Sequence, residues 1–133
     1  MSSYFEWDPA KFSIQVPAMD DDHREIIACM NRLHELHDAK ASAAALGKAL
    51  GELVRVTREH FADEEAYMEG LEFPERRTHG IIHKQLLERL TQFKSAFDSS
   101  GKLTDDLFVF LRMWLKSHIC GIDTKYAAFS RAA

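Results

Sequence analysis

The chain of 133 residues carries a formal net charge of −4 and a sequence pI near 6.0, with acids and bases interspersed. This length suits one domain with a single sizeable core, and the charge balance argues against nucleic acid or an anionic membrane surface as a partner. No apolar run approaches the roughly 18 residues that a membrane span requires, so a membrane-spanning protein is not expected.

The cysteine content and the N-terminal stretch bear on the compartment. The two cysteines, Cys29 and Cys120, are too few for a disulfide framework, and they suit a reducing environment. The polar, acid-containing stretch MSSYFEWDPAKF is unlike a secretory signal. We therefore expect a cytoplasmic location.

The first half of the chain predicts an irregular arm and two helices. The arm covers residues 1–18, and a helix near residues 19–38 follows, because acids suit its N-terminus and apolar residues recur at helical spacing. A second helix begins around Ser42 and ends at Gly70, since glycine is common at helix C-termini.

The second half predicts two more helices and a short tail helix. Pro74 fits the first turn of the third helix, SSGK forms the next turn, and Thr104 can cap the fourth helix. Four amphipathic helices with short connections and no strand-like alternation predict an all-α, up-down-up-down four-helix bundle. The predicted single domain, residues 1–133, comprises the arm, the bundle over residues 19–121 and a C-terminal tail over residues 122–133.

A few polar residues interrupt the apolar stripes of these helices, early in the first and third and late in the second and fourth. In an antiparallel bundle these four helix ends lie together, so all the interrupting residues are predicted to lie at one level of the core. They are His23, His60, Glu64, His79, His83 and His118.

Each of these signals has an ordinary explanation when taken alone. An i, i+4 pair such as His60 and Glu64 is usually a surface or capping pair, and a single histidine such as His23 is more often a core or capping residue. Several imidazoles and a carboxylate at one level of a core would be costly if left unpaired, whereas a metal ion satisfies them together. Imidazole with carboxylate suits iron, zinc, copper or nickel. The absence of a cysteine cluster argues against an iron–sulfur site.

His34 and His37 serve as an internal comparison. They share roughly the face of His23, but at about 1.5 Å rise per residue they lie some 16 and 21 Å further along the helix. We expect both to be ordinary polar or half-buried residues, too distant to join the same site.

Asp123 is a further candidate with two open interpretations. It follows His118 by five residues, which is about 140° around an ideal helix, so both reach one site only if the helix unwinds or turns. Gly121 is where such a break is easiest. Alternatively, Asp123 caps the short tail helix TKYAAF.

These residues together resemble the ligand signature of the hemerythrin family. The pattern is His23, His60-x3-Glu64, His79-x3-His83 and His118-x4-Asp123, and the resemblance extends to Trp7, to Asp20 three residues before His23, and to the stretch from Trp114 to Tyr126. Two departures are Asp22, where the family often has glutamine, and Cys120, which is unexpected beside the ligand region. Either residue is able to alter redox behaviour or outer hydrogen bonding.

The resemblance implies a non-haem di-iron centre with an oxo or hydroxo bridge. In the family pattern three histidines bind one iron, His23 and His60 bind the other, and both carboxylates bridge the pair. One coordination position is then left open on the two-histidine iron, where the resemblance implies that dioxygen binds, with nitric oxide as an alternative ligand. The candidates to surround that position are Ile27, Phe61, Trp114, Leu115 and Ile119, whose alternative role is plain core packing.

Three functional classes follow from the resemblance. The favoured one is a reversible dioxygen-binding protein, serving as carrier, store or sensor, because histidine outnumbers carboxylate and leaves the irons less electron-rich than in oxygen-activating bundles. The others are a di-iron enzyme, such as a peroxidase, oxidase or nitric oxide reductase, and an iron-handling protein. No further residue resembles a catalytic acid, base or nucleophile, although Tyr126 and Cys120 are placed to reach the pocket. We therefore predict no principal enzymatic activity; no protein partner is identified.

Overall fold

The computed structural model describes residues 4–132, so residues 1–3 and 133 of the predicted domain lie outside the described part. The described chain is all-helical, and its four long helices form the predicted four-helix bundle. The helices are α1 (Pro9–Phe12), α2 (Pro17–Asp38), α3 (Ala43–Gly70), α4 (Arg76–Ser100), α5 (Asp105–His118) and α6 (Thr124–Ala132), with a π-helical segment, Ile119–Asp123, between the last two. Within residues 4–132, no helix is both long and apolar enough to cross a membrane.

The helix ends differ from the predicted bounds by a few residues, for identifiable reasons. Helix α2 begins at Pro17 because proline suits the first helical position, where its missing N–H is not needed. Helix α4 begins after Pro74 and includes both serines of the predicted SSGK turn. It ends at Ser100, and Gly101 follows in the left-handed conformation with φ 71°. Thr104 occupies the N-cap position of α5, but its side chain makes no capping hydrogen bond.

The arm is not wholly irregular, since it contains the short helix α1, and it is tied to α2 by side chains of that helix. Asn31 forms a reciprocal pair of hydrogen bonds with the backbone of Phe5, both 2.8 Å long. The buried carboxylate of Asp20 accepts from the Ile14 N–H at 2.9 Å and from the Ser13 hydroxyl at 2.6 Å. These contacts hold the arm against the bundle.

The bundle core follows the predicted stripes. The side chains with 0 or 1 % exposure include Ile26, Met30, Leu33, Leu50, Leu53, Leu90, Leu107, Leu111 and Leu115. Between His79 and His83, Ile81 is 52 % exposed and Ile82 is half-buried. This follows from helix geometry, because His79 and His83 face inward and a residue midway between them must face out.

The π-helical segment decides where Asp123 points. Rather than unwinding at Gly121, the helix widens by one residue over Ile119–Asp123, and Asp123 Oδ1 then lies 3.0 Å from His118 Nε2. Neither carboxylate oxygen of Asp123 makes a hydrogen bond, so the residue does not cap α6. Single π turns of this kind are frequent at functional sites.

Gly121 is not required for this turn. It is exposed, its φ is not positive, and an added Cβ would meet nothing within 4 Å. Gly121→Ala is therefore expected to retain metal binding and to raise the free energy of unfolding by up to about 1 kcal/mol, because alanine is the better helix former. Urea unfolding and metal analysis test this, with Gly51→Ala, which also has open space, as the control. Loss of metal in Gly121→Ala alone would show that the glycine shapes the turn.

Candidate metal centre

Seven ionisable side chains converge at one end of the bundle. α2 and α4 contribute residues near their starts, α3 and α5 contribute residues toward their ends, and the π-helical segment contributes its last residue. All seven are buried, with at most 3 % exposure. They are His23, His60, Glu64, His79, His83, His118 and Asp123, which are the residues that the sequence singled out.

The seven side chains form two groups that share both carboxylates. Within each group the potential ligand atoms lie within 4.8 Å of one another, a separation that a single cation is able to span. One group contains His79, His83 and His118, and the other contains His23 and His60. Glu64 and Asp123 belong to both, so the geometry provides two adjacent cation positions.

Glu64 divides its two oxygens between the groups. Its Oε1 lies 2.8 Å from His83 Nε2 and 2.9 Å from His79 Nε2. Its Oε2 lies 3.2 Å from His60 Nε2 and 3.8 Å from His23 Nε2. This is the arrangement that a carboxylate bridging two cations requires.

Asp123 divides its oxygens in the same sense. Its Oδ1 lies 3.0 Å from His118 Nε2 and 3.1 Å from His79 Nε2, whereas its Oδ2 lies 3.0 Å from His23 Nε2. Both carboxylates therefore face the three-histidine group with one oxygen and the two-histidine group with the other.

Several atoms at the centre of the cluster are buried without a hydrogen-bond partner. They include both oxygens of Asp123 and the Nε2 atoms of His23 and His60, despite neighbours at hydrogen-bonding distance. In addition, the Nε2 atom of His118 faces the Nε2 atoms of His79 and His83 at 3.2 and 3.1 Å. Buried polar atoms without partners are rare and costly, so the residues fit a bound metal pair that would satisfy them.

The carboxylates strongly favour positive charge on the imidazoles around them. Burial lowers the pKa of His60, but the hydrogen bond with Asp22 and the close contact with Glu64 outweigh it and raise the pKa to about 10. For His118, burial is likewise outweighed by Asp123 and Glu64, which raise the pKa to about 9. Burial and the Glu64 charge raise the pKa of Asp123, yet its close contacts with His118, His23 and His79 lower it to about 2. A cation, whether proton or metal, is thus strongly held here.

Proton release should accompany metal binding. In protein stripped by a chelator, His60 and His118 with pKa values of about 10 and 9 carry protons at pH 7, and a metal must displace them. Adding Co²⁺ in weakly buffered solution is expected to acidify it, and apparent Co²⁺ affinity should rise from pH 6 towards pH 9, because displacing these protons costs less free energy at higher pH. A pH-indicator titration measures the release. An affinity that does not change over this range would contradict the pKa assignment.

Three polar groups surround the ligand candidates. The Tyr126 hydroxyl donates to Glu64 Oε2 at 2.8 Å, and burial followed by the Glu64 charge raises its pKa, so it stays a neutral donor. Asp22 contacts His60 Nδ1 at 3.0 Å, which gives this departure from the family pattern a place in the site. Glu65 contacts His83 Nδ1 at 3.2 Å. The sequence analysis missed Glu65, because no local pattern separates it from other exposed acids of α3.

Cys120 does not join the site. Its side chain is exposed, and its thiol lies against the backbone carbonyl of Lys11 at 3.6 Å. Of the two residues predicted to reach the pocket, only Tyr126 contacts the cluster.

The predicted apolar residues around the site are all buried. Phe61 stacks on the His83 ring with centroids 3.9 Å apart, and Trp114 lies 5.7 Å from Phe61 and 6.0 Å from His118, centroid to centroid. Ile27, Leu115 and Ile119 are between 0 and 4 % exposed. Their role in surrounding a small ligand stays a prediction.

Comparison with known proteins agrees with this geometry. The family model of the hemerythrin HHE cation binding domain matches residues 15–129. A bacteriohemerythrin of Stenotrophomonas maltophilia is 33 % identical over 115 residues, covering 86 % of this chain and 74 % of the relative. A myohemerythrin of Riftia pachyptila is 33 % identical over 124 residues, or 93 % and 92 % of the two chains.

Solved structures agree as well. A wild-type hemerythrin crystal structure superposes with a TM-score of 0.86 at 27 % identity, covering 93 % of this chain and 95 % of that one. A leucine-to-alanine hemerythrin variant superposes with a TM-score of 0.89 at 26 % identity, covering 96 % and 98 %.

Proposed function

The chain belongs to the hemerythrin family, and from this premise we propose that it binds dioxygen reversibly at a non-haem di-iron centre. The proposed ligands of one iron are His79, His83 and His118, and those of the other are His23 and His60. Glu64 and Asp123 are proposed to bridge both. Iron held by these residues would supply two reducing equivalents to a diatomic gas.

The observation that carries this proposal is the division of the carboxylate oxygens between two unequal histidine groups. Glu64 and Asp123 each present one oxygen to the first histidine group and the other oxygen to the second. This division supports two ions rather than one. Because one group has three histidines and the other has two, the second ion has fewer protein ligands. A small ligand is therefore expected on the side of His23 and His60.

The surroundings support binding rather than turnover. Five neutral imidazoles and two carboxylates donate less electron density than a carboxylate-rich set, which disfavours cleavage of the O–O bond. Buried apolar side chains such as Phe61, Trp114 and Leu115 exclude water from the site. An anion that leaves the site would be poorly solvated among them, which disfavours its release. We therefore propose a carrier, store or sensor rather than an enzyme, and the cytoplasmic location stays a prediction from the sequence.

Anaerobic reconstitution with ferrous salt tests the proposal. Two irons per chain are expected, and oxygenation in a stopped-flow instrument should give an oxo-bridge charge-transfer band that disappears under argon with recovery of the ferrous protein. Rapid conversion to diferric protein with release of peroxide would indicate a di-iron enzyme instead. Iron-free protein with an intact helical circular dichroism spectrum would reject the di-iron site. Repeating the titration with nitric oxide tests the alternative ligand.

A further inference from the structure

Two of the five buried histidines contact a second carboxylate on the side facing away from the cluster. The Nδ1 atom of His60 lies 3.0 Å from Asp22 Oδ2, and the Nδ1 atom of His83 lies 3.2 Å from Glu65 Oε2. His60 belongs to the two-histidine group and His83 to the three-histidine group. Each group thus contains one histidine held between an inner and an outer carboxylate.

These contacts select a ring form suited to metal binding. When the Nδ1–H of an imidazole donates to a carboxylate, its lone pair is on Nε2. The Nε2 atoms of His60 and His83 face the centre of the cluster, 3.2 and 2.8 Å from the oxygens of Glu64. Asp22 and Glu65 therefore favour the tautomer in which each Nε2 is free to bind a cation.

Two of the other histidine rings have no such outer carboxylate within residues 4–132. The Nδ1 atoms of His23 and His118 are buried and have no hydrogen-bond partner in the described part of the chain. The side chains of Asp22 and Glu65 are 27 and 48 % exposed, so both carboxylates are in contact with solvent as well as with a buried ring.

The packing between α3 and α4 makes room for Glu65. A Cβ added at Gly80 would lie 3.2 Å from Glu65 Oε1, so the glycine leaves space for the carboxylate beside His83. Phe61 stacks on the His83 ring with an interplanar angle of 6°. The ring is thus restrained on its face by Phe61 and at its Nδ1 edge by Glu65. A surface cavity of about 280 Å³, lined in part by these residues, connects this edge to solvent.

We propose that Asp22 and Glu65 are positioning residues, one for each metal ion, that orient His60 and His83 and strengthen them as electron donors. An anionic partner makes an imidazole a stronger donor than a neutral amide would, and stronger donors favour the ferric over the ferrous state. The two carboxylates therefore lower the reduction potential of the centre. This inference rests on the proposed di-iron function.

Amide substitutions separate orientation from charge. Asp22→Asn and Glu65→Gln retain an oxygen that accepts from Nδ1–H but remove the negative charge. Both are expected to raise the reduction potential of the reconstituted di-iron protein, with less than about a tenfold loss of Co²⁺ affinity in the chelator-stripped protein. Asp22→Ala and Glu65→Ala also remove the acceptor, so Co²⁺ affinity should fall by about 10–100-fold.

Exposed neighbouring acids provide matched controls. Asp21→Asn on α2 and Asp63→Asn on α3 remove the same charge from the same two helices, and both residues are exposed. If the amide variants shift the potential no more than these controls, and the alanine variants retain wild-type Co²⁺ affinity, the inference is overturned while the di-iron site stands. If wild-type protein binds fewer than two metal ions, the proposed function itself fails, and this inference with it. Circular dichroism establishes that each variant is folded.

Discussion

Glu64→Gln is expected to abolish stable binding of both metal ions. The Glu64 oxygens lie 2.8 to 3.8 Å from imidazoles of both histidine groups, so losing its charge weakens both proposed positions at once. The amide keeps the side-chain volume, which avoids a cavity in the core, but its NH₂ group cannot bind a cation. The loss of affinity should exceed the roughly 10–100-fold that removal of an outer partner costs.

Metal analysis of reconstituted Glu64→Gln protein after gel filtration measures this effect. Glu59→Gln is the control, since Glu59 is on the same helix but is exposed and paired with Arg55. The control should keep the wild-type metal content. Two tightly bound ions in folded Glu64→Gln protein would show that Glu64 does not bridge the groups. A Co²⁺ titration of this variant that shows two binding steps of equal size would lead to the same conclusion.

His118→Ala is expected to remove one metal ion and to leave the other largely in place. The His118 Nε2 atom faces His79, His83 and Asp123 Oδ1, all of which belong to the three-histidine position. The position formed by His23 and His60 keeps its own histidines. Metal content should therefore fall from about two ions towards one per chain, because the altered position loses one of its histidines whereas the other position keeps its whole ligand set.

His34→Ala is the matched histidine control, and its metal content should not change. His34 stacks on Tyr4 with centroids 4.6 Å apart and contacts Phe108, roughly 16 Å along α2 from His23 by helix rise. Equal loss of metal in His118→Ala and His34→Ala would contradict the assignment of the site to one end of the bundle. Circular dichroism of both variants excludes unfolding as the cause.

Much of this site was predictable because helical periodicity determines which residues share a face. The six positions from His23 to His118 interrupt apolar stripes, and short connections make neighbouring helices antiparallel, which places these positions at one end. The four-helix bundle and the family assignment are confirmed. The assignment of each residue as an iron ligand stays a proposal that the variants above test.

Other features depended on contacts between helices, which no local pattern encodes. The spacing between His118 and Asp123 left metal binding and helix capping equally open, and the π-helical turn over Ile119–Asp123 decided the orientation of the carboxylate. The contact of Glu65 with His83 depends on how closely α3 approaches α4 at Gly80. Hydrophobicity alone likewise does not state which way a side chain points, as the exposed Ile81 shows.

The sequence by itself determined the helices, their order, and the level at which the five histidines and Glu64 gather, because these follow from spacing along one chain. Only the tertiary structure decided that each carboxylate faces two histidine groups, and that Asp22 and Glu65 back one histidine in each. Those relations depend on the rotation of each helix about its axis and on side-chain rotamers. Both are set by packing against neighbours distant in the chain.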